Sequence, residues 1–367
     1  MSDRPPIGVL LVNTGTPDSP QAGDVRRYLR QFLSDPRVID LPAAARWLLL
    51  ELVILPFRPR KSAAAYRKIW TTRGSPLLTN GIDLAAGVQQ ALGADFAVRL
   101  AMQFGRPSIA TAMAEVQALG VAEIVTVPLF PQYAAASYGS AAAAVCTEAA
   151  QRWVVPSLRF VPPFWDKPAF LGALVAKARP VISDWQPDHV LLSYHGVPER
   201  HCIKTDASAA HCLQHSSCCD ALVAANAHCY RAQCMATSRQ LIAQLGLDPS
   251  HVTTAFQSRL GRTPWIKPYT DHVLAELGQR KVQRLLVLEP SFVADCLETL
   301  EEIGMRGRDD FAAAGGGALR LLPSLNADAD WCSGLADLVR GAATVGRDGA
   351  AAGLLGPTVA EASTNLL

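Results

Sequence analysis

The sequence predicts an α/β protein built as two halves, each a parallel sheet flanked by helices, related by internal duplication. Three observations carry that expectation. Short, unbroken apolar runs recur, as in strands buried on both faces. They alternate with stretches of helical periodicity, which supply the crossovers that parallel strands need. The same order of elements is met twice along 367 residues, half of them apolar, a length comfortable for two domains.

Residues 7–12 (IGVLLV) read as the first strand and end in the polar turn NTGTP. Residues 189–193 (HVLLS) repeat the pattern and end in YHGVP, so both turns run polar, any, Gly, any, Pro. A second pair, 123–130 (EIVTVPLF) and 284–292 (RLLVLEPSF), consists of strands broken by a proline near the C-terminal end, the place where a central strand tolerates one. Helices are expected over 24–33, 109–119, 235–245 and 271–277. The proline-rich stretch 162–168 (PPFWDKP) suits a boundary, giving an N-terminal half over 1–165 and a C-terminal half over 166–340. The Ala- and Gly-rich tail, 341–367, is expected to be partly disordered.

A net charge of +2 leaves no electrostatic footprint for nucleic acid, and no block of like charge suggests a polyelectrolyte partner. The N-terminus lacks the order of a secretory signal, and the longest apolar stretch, 47–57, is too short to span a bilayer. These features read as a cytoplasmic protein. Its nine cysteines are then reduced thiols or metal ligands rather than disulfides. No G-x-G-x-x-G follows a strand, and neither a Walker A motif nor a G-x-S-x-G elbow occurs, so the common cofactor enzymes of this class are disfavoured.

In open parallel sheets, ligands sit at the carboxyl ends of strands. That rule selects the turns NTGTP, PLFPQYAAASYGS, SYHGVPER and EPSFVADCLETLEE. His195 follows a buried strand directly, where an imidazole can bind metal or exchange a proton near neutral pH. Alone, it reads more readily as a hydrogen-bonded loop histidine. Asp295, Glu298, Glu301 and Glu302 are spaced to lie along one side of a helix, at a small cost in like-charge repulsion. Such a row is usually a solvated face. Here it starts at a strand end, and carboxylates with an imidazole suit a divalent first-row metal or accept protons that a metal displaces.

SYHGVPERH, FQSRLGRTPWIKPYTD and PSFVADCLETLEEI, in this order, resemble the ferrochelatase family. LLVNTGTPDSPQAGDVRRYLRQFLSDPRVIDLP and VPLFPQYAAASYGS resemble it too, and together the motifs span residues 7–338. The resemblance implies a chelatase-type fold of two Rossmann-like domains with a porphyrin cleft between them. It also implies a lyase of haem biosynthesis that inserts ferrous iron into a porphyrin. His195 would be the catalytic base or a metal ligand, and Glu298 the opposing ligand or proton acceptor. Asp295, Glu301 and Glu302 would form a path for iron or protons. Cys296 stands where some relatives carry a further histidine. Trp265, Tyr133, Met102 and Ile69 are candidate porphyrin walls, with Tyr66, Arg67, Ser75 and Arg106 candidates for the propionates. The SYHG and DCLETLEEI wording is similar to members that use protoporphyrin IX rather than coproporphyrin III. The stretch 47–61, apolar and then basic, corresponds to the family's lip and suits peripheral contact with a membrane surface.

Six cysteines, Cys202, Cys212, Cys218, Cys219, Cys229 and Cys234, crowd behind the YHGVP turn with four histidines between them. Their spacing matches neither a zinc ribbon nor a plant-type ferredoxin. Some ferrochelatases are similar in carrying an internal cysteine-rich segment with a 2Fe-2S cluster. On that likeness the ligands would be Cys212, Cys218, Cys219 and Cys229, with Cys202 and Cys234 in reserve. Zinc and redox-active thiols stay open as alternatives.

Overall fold

The computed structural model describes residues 5–261 and 263–344. Within them the chain forms two four-stranded parallel sheets. The first contains β1 (Ile7–Thr16), β2 (Phe96–Gly105), β3 (Glu123–Pro128) and β4 (Ser157–Phe160) in the order β2-β1-β3-β4. The second contains β5 (His189–His195), β6 (Val252–Gln257), β7 (Arg284–Leu288) and β8 (Ala318–Leu321) in the order β6-β5-β7-β8. The two orders are the same permutation, as duplication requires.

The likeness extends to the ends of the central strands, although Asn13–Thr16, expected as a turn, continue β1 in register with β2. Gly15 in NTGTP has φ +112°, and a Cβ there would be driven onto the carbonyl oxygen of Phe104 on β2. Gly196 in YHGVP lies against β6 in the corresponding way, where a Cβ would sit 2.8 Å from the Gln257 carbonyl oxygen. Gly15 lets the end of β1 hug the neighbouring edge strand, and Gly196 lets the chain leave β5 against its own.

Helices cover the sheets, and the four expected ones run over Ala22–Ser34, Ile109–Gln117, Tyr230–Leu245 and Thr270–Gln279. The lip is a continuous helical stretch: Ala43–Leu48, a π-helical turn Leu49–Ile54, then Leu55–Ile69. Proline explains its irregularity. Pro56 cannot donate to Leu52 and its ring crowds that carbonyl, which a widened turn relieves. Pro59 likewise leaves the Leu55 carbonyl unpaired, and Arg26 Nη1 donates to it at 3.1 Å.

One apolar cluster joins the two halves. It runs from Val9, Leu11 and Val127 of the first sheet to Leu192, Tyr194 and Leu286 of the second, with Phe164, Phe170 and the fully buried Trp331 between them. The last helix, Ala329–Thr344, extends past Gly341, where the tail was expected to begin; residues 345–367 lie outside the described ones. Among the described residues no helix is long and apolar enough to cross a membrane.

Candidate active site

His195 is the last residue of β5, and strand pairing puts it opposite Gln257 at the end of β6. Its backbone N–H donates to Ser291 Oγ at 3.0 Å, and its Nδ1 lies 2.6 Å from the Gly196 carbonyl oxygen. An Nδ1 that donates to this carbonyl leaves Nε2 as the free lone pair. The half-buried imidazole stands between Trp265 and Phe292, with ring centroids 6.4 and 6.2 Å away. Trp265 is fixed by its Nε1–H, which donates to the Leu260 carbonyl at 2.9 Å.

The acidic row follows β7. Its last three carboxylates lie on a π-helix, Glu298–Gly307. Gln257 anchors it by donating its side-chain N–H to the Glu298 carbonyl at 3.1 Å. His195 and Glu298 are therefore both seated on Gln257, one by strand register and one by a hydrogen bond. Ser258 donates its N–H and Oγ to the Glu302 carboxylate at 3.0 and 2.6 Å. Burial raises the proton affinity of Glu302, Ser258 opposes that, and the Glu298 charge adds to it.

The other two carboxylates are engaged elsewhere. Asp295 accepts from Asn326 Nδ2 at 2.7 Å and from the Ser324 N–H at 3.0 Å, so it ties the turn before the row to the loop before the last helix. Glu301 pairs with Lys68 Nζ at 2.9 Å, linking the row to the lip helix of the first half. Cys296 is buried, and burial followed by the charge of Glu298 pushes its thiol well above the ordinary range. It stands as a neutral thiol.

From the first half, Tyr28, Tyr66 and Arg58 face the row. Burial raises both phenols, and the Glu298 charge raises them further. Burial lowers Arg58, while Glu298 and Glu302 pull it back up. Arg58 therefore turns toward the carboxylates, although in the sequence it appeared only as part of a basic flank. The proposed walls divide. Trp265 and Tyr133 are half-buried, whereas Met102 is fully buried in the shared core and Ile69 packs inside the lip. Ser75 is buried and shares a 2.8 Å hydrogen bond with Thr16, and Arg67 and Arg106 are exposed.

The cysteine-rich segment has little regular structure and is organised by two buried polar side chains. Asp206 accepts from the N–H groups of His211 and Cys212, both at 2.8 Å. Asn226 donates to the carbonyls of Cys218 and Ala221, also both at 2.8 Å. This folding brings Cys202, Cys212, Cys218, Cys219 and Cys229 together, all buried. Cys229 touches Cys202, Cys219 and Cys212, and the Sγ atoms of Cys218 and Cys219 are 3.7 Å apart. Contact with Cys202 chiefly, opposed by contact with Cys219 and aided by burial, raises Cys229 to about 11, while burial and then Cys229 raise Cys212 to about 12. Arg231 places Nη1 3.1 Å from Cys219 Sγ, a cation suited to thiolate. Cys234 is buried apart, against Tyr230. Two thiolates on one tetrahedral metal with bonds of about 2.3 Å lie about 3.8 Å apart, so the Cys218–Cys219 pair fits one iron. The contacts remain pairwise, and among the described residues no three His, Cys, Asp or Glu side chains form a shell ready for a metal ion.

Comparison with known proteins gives one answer. The family model described as Ferrochelatase matches residues 6–343. A ferrochelatase of Coxiella burnetii (strain CbuG_Q212) is 44% identical over 334 residues, covering 91% of this chain and 93% of the relative. One of Legionella pneumophila (strain Lens) is 44% identical over 332 residues, covering 90% and 98%. Among solved structures, SirB from Bacillus subtilis with Fe3+ superposes with a TM-score of 0.54 at 11% identity, covering 93% of this chain and 97% of that one, a likeness of fold alone. On the family model and these relatives, this chain belongs to the ferrochelatase family and is a metal chelatase of haem biosynthesis.

Proposed function

We propose that the chain inserts ferrous iron into protoporphyrin IX, yielding protohaem and two protons. The observation that carries this reading is the common seat of His195 and Glu298 on Gln257. It supplies an imidazole lone pair and a carboxylate at one strand-end crevice. A porphyrin must lose two pyrrole protons and admit iron from one face, so a base and a metal supply belong on opposite faces. His195 Nε2 takes a pyrrole proton, and Glu298 receives the iron with Glu302 behind it. Trp265 and Phe292 bracket the imidazole and offer apolar surface to the ring, with Tyr133 as a further wall. Binding energy at the ring's periphery is available to bend it and expose the nitrogens. Arg67 and Arg106 are the cations exposed for propionates.

Two accessory readings accompany this one. Trp47, Leu52, Val53 and Phe57 project outward from the lip, Phe57 at 76% exposure, and suit a membrane surface that holds apolar porphyrin. Cys212, Cys218, Cys219 and Cys229 would hold a 2Fe-2S cluster, with Cys202 within contact of Cys229. When bound, such a cluster supplies one-electron chemistry, which iron insertion does not use.

Anaerobic assay with ferrous iron and either protoporphyrin IX or coproporphyrin III tests the main reading. Protohaem formation with a clear preference for protoporphyrin supports it. No metalloporphyrin from either overturns it, and preference for coproporphyrin moves the substrate. A visible spectrum of the freshly purified protein that bleaches on reduction supports the cluster. A colourless, iron-free protein removes it.

A further inference from the structure

Glu289, just past the end of β7, is a carboxyl that the reaction as derived leaves unused. It follows Leu288, which pairs with Leu192 on β5, so it stands beside Ser193, two residues before His195. The residue is 6% exposed, and neither side-chain oxygen has a hydrogen-bond partner. Gln257 lies against it: Ser193 Oγ donates to the amide oxygen at 2.5 Å and one amide N–H goes to the Glu298 carbonyl, which leaves the second N–H as the neutral donor facing Glu289 and opposing its protonation. The foremost charges acting on Glu289 are Glu302, Asp295 and Glu298, all negative. His195 and Arg58 act on Glu302.

A leucine or methionine would fill this place without the cost of burying a polar group. An ionised carboxylate here would be out of water and facing three like charges, with a neutral amide rather than a cation beside it. Glu289 therefore holds its proton while the row is empty; burial is the main cause and the three carboxylates add to it. A divalent cation among those carboxylates reverses the balance, because it is the counter-charge that Glu289 lacks.

We infer that Glu289 exchanges its proton for the incoming ferrous ion, releasing it as iron reaches the acidic row and recovering one as iron enters the ring. The inference deepens the iron-insertion reading and rests on it. On arrival of Fe2+, the Glu289 O–H bond breaks and one proton leaves to solvent, so the pocket gains one positive charge instead of two. On insertion two pyrrole N–H bonds break; one proton returns to Glu289 and the other leaves by His195. The sum is one iron taken up and two protons released, with no change of oxidation state. A way out exists beyond Gln257: a cavity of about 170 Å³ runs from Gln257 and Glu302 past Ser258 and Thr270 to the exposed Arg306 and Asp310. It has room for several waters.

The test uses the whole protein and ferrous iron without porphyrin, under anaerobic conditions. Proton release, followed by calorimetry in buffers of different ionisation enthalpy, is expected to be about one proton per iron smaller in Glu289→Gln than in wild type. Protons displaced from cysteines contribute equally to both and cancel. The wild-type infrared difference spectrum should lose a protonated-carboxyl band on iron addition, and Glu289→Gln should lack that change. In turnover, Glu289→Gln should raise KM for iron about tenfold while leaving KM for porphyrin alone. A merely structural neutral acid predicts no change from this isosteric variant. Equal proton counts, or no band lost in wild type, overturn the inference, and the infrared measurement stands even if the variant fails to fold. Failure of the iron-insertion reading shows separately, as absence of metalloporphyrin from wild type.

Discussion

A Cβ at Gly196 would press on the Gln257 carbonyl oxygen at 2.8 Å and on Trp265 Cε3 at 3.2 Å. The residue after the imidazole is thus fixed by the strand and the indole that shape the site. His195 itself is less constrained, and His195→Ala should fold normally while losing about 10²- to 10⁴-fold in turnover. Unchanged circular dichroism with lost metalloporphyrin formation is the expected pair of results, and retained activity refutes the role. Ser258 gives a subtler probe. Its hydroxyl lowers the proton affinity of Glu302, so Ser258→Ala lets burial and Glu298 raise it further. If ionised Glu302 serves iron transfer, the acidic limb of the pH–rate profile moves to higher pH, and an unmoved limb counts against that service. His195 and the acidic row stood out in the sequence because motif and strand end coincide. Gln257 and Glu289 did not, since their importance lies in partners gained or lacked only on folding.

At the level of elements, what the sequence revealed follows burial. The four strands legible as apolar runs, β1, β3, β5 and β7, are the four central ones. The other four are edge strands, and β4 (SLRF) and β8 (ALRL) are too short and too mixed to stand out. The π turns were not legible, because a widened turn reflects local crowding rather than periodicity. At the opposite end of β5, His189 is 2% exposed and its Nε2 lies 2.9 Å from Thr253 Oγ1. Burial chiefly, then Arg280, lowers it from 6.5 to about 4. The unfolded chain binds that proton first, so the stability contributed by neutral His189 is present above pH 6.5 and is lost as pH falls toward 4. Denaturant unfolding should show this loss as about 2 kcal/mol between pH 7.5 and 5. His189→Asn should flatten that limb, and an equal slope in the variant would assign the loss to other groups. On the lip, Phe57→Asp should weaken sedimentation with anionic vesicles while leaving the melting temperature within a degree or two, because Phe57 is 76% exposed. Undiminished vesicle binding rules out this face as the contact.

For the molecule as a whole, the halves read from sequence as separable units share one apolar cluster. Trp331 is fully buried between Phe164 and Phe170, with centroids 5.6 and 6.0 Å away, and its indole N–H has no partner. Trp331→Ala should cost about 3–5 kcal/mol through the cavity it leaves. Trp331→Phe should cost less, because it removes the unpaired donor together with part of the volume. Both should unfold in a single transition by fluorescence and circular dichroism, and two separate transitions would mean that the halves are held together less firmly than their common core implies. That core was hidden in the sequence because each half carries enough apolar residues to suggest an interior of its own. The shared core also bears on the ring. A frame packed through its middle and tied between the lip helix and the acidic row by Lys68 and Glu301 resists deformation. When a stiff cradle and a compliant macrocycle do not match in shape, the macrocycle takes up most of the mismatch. Metallation makes the ring stiffer and so a poorer guest, and the rigidity that favours entry of the metal then helps to expel the product.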